Sequence, residues 1–138
     1  MRVSIALVAA ACLFSVNAFG FMSAEIHYKW WKNPRIREEM ELTDKQVETI
    51  DNIFSSYKER IMLFQKELNM EEAELLDVLR KPECSRDEVM EITDHIEEMK
   101  ATLTRIKVEM YLKIKNVLTA GQQETLHNIK ERYRSRGR

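Results

Sequence analysis

Glycine and proline are scarce in this chain, three and two among 138 residues, and no run alternates β-branched with polar residues. So little punctuation excludes a fold of many short strands and turns and favours a few long helices. Cysteine is nearly absent as well. Cys12 lies in an N-terminal apolar stretch; once that stretch is removed only Cys84 remains, so no internal disulfide is expected. No excess of one charge exists either. With 22 Lys and Arg against 23 Asp and Glu, the formal net charge is −1, so no global field attracts nucleic acid, and no nucleic-acid partner is expected. The chain lacks a glycine-rich phosphate loop. Its carboxylates lie on exposed helix faces without the paired environments that separate an acid from a base, and Cys84 has no histidine near it in sequence. No enzyme active site is recognisable, and the chain is not expected to be an enzyme. What remains, 44% hydrophobic and 33% charged residues, suits one domain with a modest core.

The first residues form a separate category. Arg2 precedes an apolar stretch at 3–16, and Val16 and Ala18 supply small residues at −3 and −1. Residues 1–18 read as a secretory signal peptide cut after Ala18. An uncleaved, membrane-anchored form competes with this, but Asn17 and Gly20 weaken a span over 3–22. Lipidation at Cys12 fits less well, because Ala9 stands where a large aliphatic residue is usual. An aromatic-rich segment follows at 19–33, then a helical domain at 34–133 and a basic tail at 134–138. Charge is distributed unevenly over these parts. Residues 41–129 carry 12 basic and 19 acidic side chains, whereas 130–138 carry five basic and one acidic.

Helix starts are written clearly. Asn33 and Pro34 suit an N-cap and a first helical position, predicting a short helix over 34–40, preceded by the aromatic group Tyr28, Trp30 and Trp31. In Leu42-Thr43-Asp44-Lys45-Gln46-Val47, Thr43 and Gln46 can close a capping box while Leu42 staples onto Val47. Apolar residues then recur at helical spacing from Val47 through Ile50, Phe54, Tyr57, Ile61, Phe64, Leu68 and Leu75 to Leu79, predicting one helix that ends near Pro82. Ser85 and Glu88 form a second box, with Cys84 and Val89 at the staple positions; this is the favoured role of Cys84, against cross-linking two chains. A second long helix is predicted over 86–118, its stripe running Val89, Ile92, Ile96, Met99, Leu103, Ile106, Met110 and Val117, with Lys113 as an interruption. Leu118, Thr119 and Gln122 repeat the first signature more weakly, since Gln123 takes the staple position. A last helix carries Leu126, Ile129 and Tyr133, with a frayed tail from 134. The fold class is therefore all-α: a long antiparallel helical hairpin flanked by short N- and C-terminal helices.

Each long helix also carries a second apolar strip. At 100° per residue, Leu63 and Met70 fall almost opposite the first stripe, and Met90, Ala101, Val108 and Leu112 opposite the second. Two readings compete: ordinary surface scatter, or a surface for a second chain or a client protein, for which methionine's flexibility is suited.

Two Leu-Thr-x-x-Gln motifs, at 42–46 and 118–122, flank this pattern behind a signal peptide, and Trp30 to Pro34 precede it. Over roughly 30–133 the chain resembles the Spy/CpxP family. The resemblance implies a periplasmic protein forming a cradle-shaped antiparallel homodimer, acting as an ATP-independent chaperone for unfolded or partly folded proteins, as a stress-response modulator, or as a metal-responsive protein. Candidate client or dimer contacts are Leu63, Met70, Met90, Val108 and Leu112. The metal-sensing branch looks like a His-x-x-x-His pair followed by His-x-x-x-Met. Here His95 and Met99 match the second element, whereas His27 is followed four residues later by Trp31. No cofactor is expected, the transition metal of that alternative reading aside. His127, with Glu124 and Glu131 around it, reads as a solvated helix face, as does the acidic group Glu71, Glu72, Glu74 and Asp77. The basic tail suits weak contact with an anionic membrane surface.

Overall fold

The structure, a computed structural model, describes residues 29–136. The expected signal segment, the first part of the aromatic-rich segment and the last two residues of the tail lie outside the described residues. Within them the chain is helical throughout, with no strand. A single 3₁₀ turn, Trp30–Lys32, leads into four α-helices: α1 (Pro34–Glu39), α2 (Asp44–Leu79), α3 (Arg86–Val117) and α4 (Ala120–Arg136). None of them is long and apolar enough to cross a membrane.

Local chemistry accounts for most boundaries. The Asn33 side chain accepts from the amides of Arg35 (3.0 Å) and Ile36 (3.5 Å), and Pro34 opens α1. The helix stops in a Schellman arrangement. Glu41 takes a left-handed φ of 50°, its amide donating to the Glu38 carbonyl (3.1 Å) and that of Leu42 to Arg37 (3.0 Å). This reversal points the chain into α2 at Thr43, where the capping box is complete. α2 has 36 residues and α3 has 32, rods of about 54 and 48 Å.

α2 and α3 pack along their length. Early residues of one meet late residues of the other: Gln46 reaches Val117, and further along Glu71 stands beside His95 and Glu72 beside Lys100. Two apolar clusters lie between them. The larger joins Ile50, Tyr57, Ile106, Met110 and Ile114 to Trp31, Ile36 and Met40 at one end and to Leu126 and Ile129 of α4. The smaller holds only Leu68, Ile96, Met99 and Leu103. Ile61 and Phe64 pack against both. Each fully buried aliphatic side chain contributes about 1.5–3 kcal/mol, so the half covered by α1 and α4 is the better anchored.

The structure corrects several sequence expectations. At the end of α2 the inward residue is Val78, 4% exposed, while Leu79 is 51% exposed. In α3 the stripe is not interrupted at Lys113; it passes to the buried Ile114, four residues after Met110, and the Lys113 ammonium lies 5.1 Å from the Tyr57 ring centroid. Both follow from a straight helix drifting slowly against any fixed repeat. Cys84 is exposed and staples nothing, because the connection carries it away from the packed faces. Ser85 still caps, accepting from the Glu88 amide at 3.5 Å. α4 continues to Arg136 beyond the expected fraying point, with Arg134 paired to Glu131 at 2.9 Å.

Candidate functional site

The two Leu-Thr-x-x-Gln segments, expected as separate helix starts, are brought together. Each forms a full capping box. The Gln46 amide donates to Thr43 Oγ1 (3.1 Å) and the Thr43 amide to Gln46 Oε1 (3.1 Å). The Gln122 amide donates to Thr119 Oγ1 (3.2 Å) and the Thr119 amide to Gln122 Oε1 (3.0 Å). The second start is thus as complete as the first, contrary to the weaker reading. The glutamine side chains then join each other: Gln46 Nε2 donates to Gln122 Oε1 at 2.8 Å and Gln122 Nε2 to Gln46 Oε1 at 3.1 Å. Gln46 Nε2 also reaches the Val117 carbonyl (3.0 Å), and Gln122 Nε2 those of Met40 (3.2 Å) and Glu41 (3.3 Å). Both primary amides therefore use oxygen and nitrogen together, binding the ends of α1 and α3 to the starts of α2 and α4. Gln123, at the staple position, has a separate task. Its Nε2 donates to the Lys115 (3.1 Å) and Leu118 (3.2 Å) carbonyls at the end of α3. Leu42 and Leu118 complete the motifs as buried apolar residues. The hydrogen bonds of both glutamine side chains in this constellation run to groups of the chain itself.

The expected surface residues are elsewhere. Leu63, Met70, Met90 and Leu112 are exposed as expected, while Val108 is half-buried. Met62, Leu76 and Leu79 join them, giving seven exposed large apolar side chains among the described residues. All but Leu112 lie between Met62 and Met90, beside the smaller cluster and beyond the cover of α1 and α4. Sequence reading missed Met62 and Leu76 because it collected only residues opposite each stripe; these two stand on its flanks. On α2, Ile61, Met62, Met70 and Ala73 with Gln65, Lys66 and Asn69 surround an open apolar depression of about 550 Å³. Charges edge this surface: Lys100 pairs with Glu97 at 3.3 Å and with Glu72 at 3.5 Å.

The metal candidates divide. His95 is more than half exposed, with Nε2 4.0 Å from Glu71 Oε1, whereas Met99 is buried with Leu68, Ile96 and Leu103. No group of three or more His, Cys, Asp or Glu suited to a metal occurs among the described residues.

Two electrostatic features stand near the covered end. Trp31 is buried, packs against Phe54 with ring centroids 5.2 Å apart and planes tilted by 58°, and donates its indole N–H to Asp51 Oδ1 at 3.3 Å. Lys32 (2.9 Å) and Lys29 (3.3 Å) also grip Asp51, and the Lys32 bond first of all holds its carboxyl below the usual range. On α4, burial lowers the Lys130 ammonium to about 8, and its Nζ lies 5.4 Å from the Tyr111 ring centroid.

No protein-family model matches the chain, and no curated protein or solved structure is significantly similar to it.

Proposed function

We propose that this protein is an exported, periplasmic chaperone or envelope-stress adaptor of the Spy/CpxP type that binds unfolded or partly folded proteins without ATP. In this reading α2 and α3 form an antiparallel hairpin, and two copies pair into a cradle. The observation that carries it is the cluster of exposed apolar side chains between Met62 and Met90, interleaved with charged residues. Apolar side chains in water gain about 25 cal/mol for each Å² they cover, so such a surface favours any chain that offers apolar segments. Methionine adapts to varied shapes, and the charged edge limits the contact to a reversible one.

The test is light scattering from an aggregating client at stoichiometric protein, without nucleotide. Wild type should suppress the signal, and Leu63→Ser with Met70→Ser should suppress it less at equal helicity. Scattering unaffected by wild type refutes the reading. Sedimentation of wild type and of Val108→Ser with Leu112→Ser checks the homodimer.

A second reading, a heavy-metal sensor or resistance protein, is favoured by one observation: His95 of α3 stands beside Glu71 of α2. Zinc, nickel and copper titrations of wild type and His95→Ala separate the two. Equal, weak binding by both removes the metal reading.

A further inference from the structure

Charge is divided by position along α2 and α3. Residues 62–99, the part that holds nearly all the exposed apolar side chains, carry 12 acidic and four basic side chains, a net charge of −8. The other described residues, 29–61 and 100–136, carry ten acidic and 16 basic, a net charge of +6. The near-neutral charge of the whole chain hides this division. No described Asp or Glu is buried, so all 12 acids act on the space outside the 62–99 part.

Acidic and apolar side chains alternate there. Residues three and four apart are neighbours on a helix, so Glu67 lies between Leu63 and Met70, with Glu74 one turn beyond Met70. Asp77 is one turn beyond Ala73, in the wall of the depression. On α3, Met90 stands between Asp87 and Asp94. Few cations oppose them. Lys66 is in the depression wall, and Lys100 is engaged by both Glu72 and Glu97.

Charge also separates the occupants this surface could take. A second copy laying its own 62–99 part here would bring −8 against −8. Its basic part would offer only Leu112 of the seven exposed large apolar side chains. An anionic lipid surface is repelled in the same way. A chain with Lys or Arg set among apolar residues meets both features at once. Its apolar side chains can enter the depression while its cations reach carboxylates one turn away. We infer that the 62–99 part of α2 and α3 binds cationic amphipathic polypeptide segments and discriminates against acidic segments of equal hydrophobicity. The inference rests on the proposed protein-binding role and adds the charge of the client.

Fluorescence anisotropy with the full chain and three labelled peptides of equal length tests it. One peptide combines leucine with lysine, one leucine with glutamate in the same order, and one serine with lysine. The leucine–lysine peptide should bind at least about tenfold more tightly than either of the others, and less tightly as salt is raised. Two variants of identical net charge then locate the site. Glu67→Gln, Glu74→Gln, Asp77→Asn and Asp94→Asn together remove exposed carboxylates from the 62–99 part. Glu38→Gln, Glu48→Gln, Glu109→Gln and Glu124→Gln remove as many exposed carboxylates from the remainder. The first variant should lose about tenfold in affinity for the leucine–lysine peptide and the second less than about twofold. Equal losses would overturn the inference, since net charge alone would then account for binding. So would a serine–lysine peptide that binds as well as the leucine–lysine one. Equal affinity for the lysine and glutamate peptides would overturn it too, yet leave the chaperone reading standing on apolar contact. Binding of no peptide would also overturn it, with the scattering assay deciding the chaperone reading separately. The peptide comparison on wild type holds even where a variant fails to fold.

Discussion

The side-chain amides of Gln46 and Gln122 donate to each other's oxygens, at 2.8 and 3.1 Å, although the two residues are 76 positions apart. Each glutamine also completes the capping box of its own helix. One pair of side chains thereby sets two helix starts and the junction between them. Losing either amide leaves backbone carbonyls of Met40, Glu41 or Val117 without their donor.

Gln46→Ala and Gln122→Ala should each lower stability by about 1–3 kcal/mol, the cost of leaving half-buried partners unsatisfied. Because each change already breaks the shared bonds, the double variant should lose less than the sum, with a coupling of about 0.5 kcal/mol or more. Urea unfolding of the four proteins measures it. Strict additivity would show that the pair does not act as one unit.

Glu41 occupies the left-handed position that ends α1, with φ of 50°. A residue with a Cβ is strained there by roughly 1–2 kcal/mol, and glycine is not. Glu41→Gly should therefore raise stability by about 0.5–1 kcal/mol after the greater freedom of glycine in the unfolded chain is counted. The backbone bonds of Glu41 and Leu42 are retained, so a midpoint below wild type would contradict the strain.

Asp51 is held ionised by Lys32, by Lys29 and by the Trp31 indole, so its folded-state carboxyl titrates below its unfolded value. Its contribution is fully present above the ordinary value of 3.8 and is lost as pH falls through the lowered one. Asp51→Asn keeps an acceptor for Trp31 and should cost less than about 1 kcal/mol at neutral pH, as expected of exposed ion pairs. The difference from wild type should shrink below pH 3.8. Denaturant unfolding at several pH values reads both.

Lys130 has the opposite sign of effect. Its folded-state ammonium loses its proton at about 8, against 10.5 ordinarily. Between those values the unfolded chain binds the extra proton, so this group adds stability as pH rises through the window, and burial of the charge destabilises below it. Lys130→Met should thus be more stable than wild type at pH 7, with the gap closing from pH 8 towards 10. Thermal unfolding across that range checks it, and a pH-independent gap would rule the titration out.

The helix starts were legible because capping is local. Thr43 and Gln46, or Asn33 and Pro34, carry their instructions within three or four residues, and neither needs a partner helix to be read. Stripe residues such as Ile50, Leu68, Ile96 and Leu103 were legible for the same reason, since a helix face repeats at a known angle. Positions at helix ends were not. Val78 rather than Leu79 turns inward, and Ile114 continues past Lys113, because slow drift of the stripe decides between neighbours only where another helix is in place. Cys84 failed as a staple because the connection between α2 and α3 takes it into solvent, a matter of chain path and not of motif.

By itself, then, the sequence determined an all-helical chain, the places where its helices begin, and the faces that must be buried, since these depend on backbone capping and on helical period. Only the tertiary structure decided that Gln46 and Gln122 share one set of bonds, that Gln123 caps the end of α3, and that exposed apolar residues gather beyond the reach of α1 and α4. Each of these is a contact between segments far apart in the chain. Side-chain hydrogen bonds act over about 3 Å, and no residue pattern specifies such proximity until packing has placed the helices.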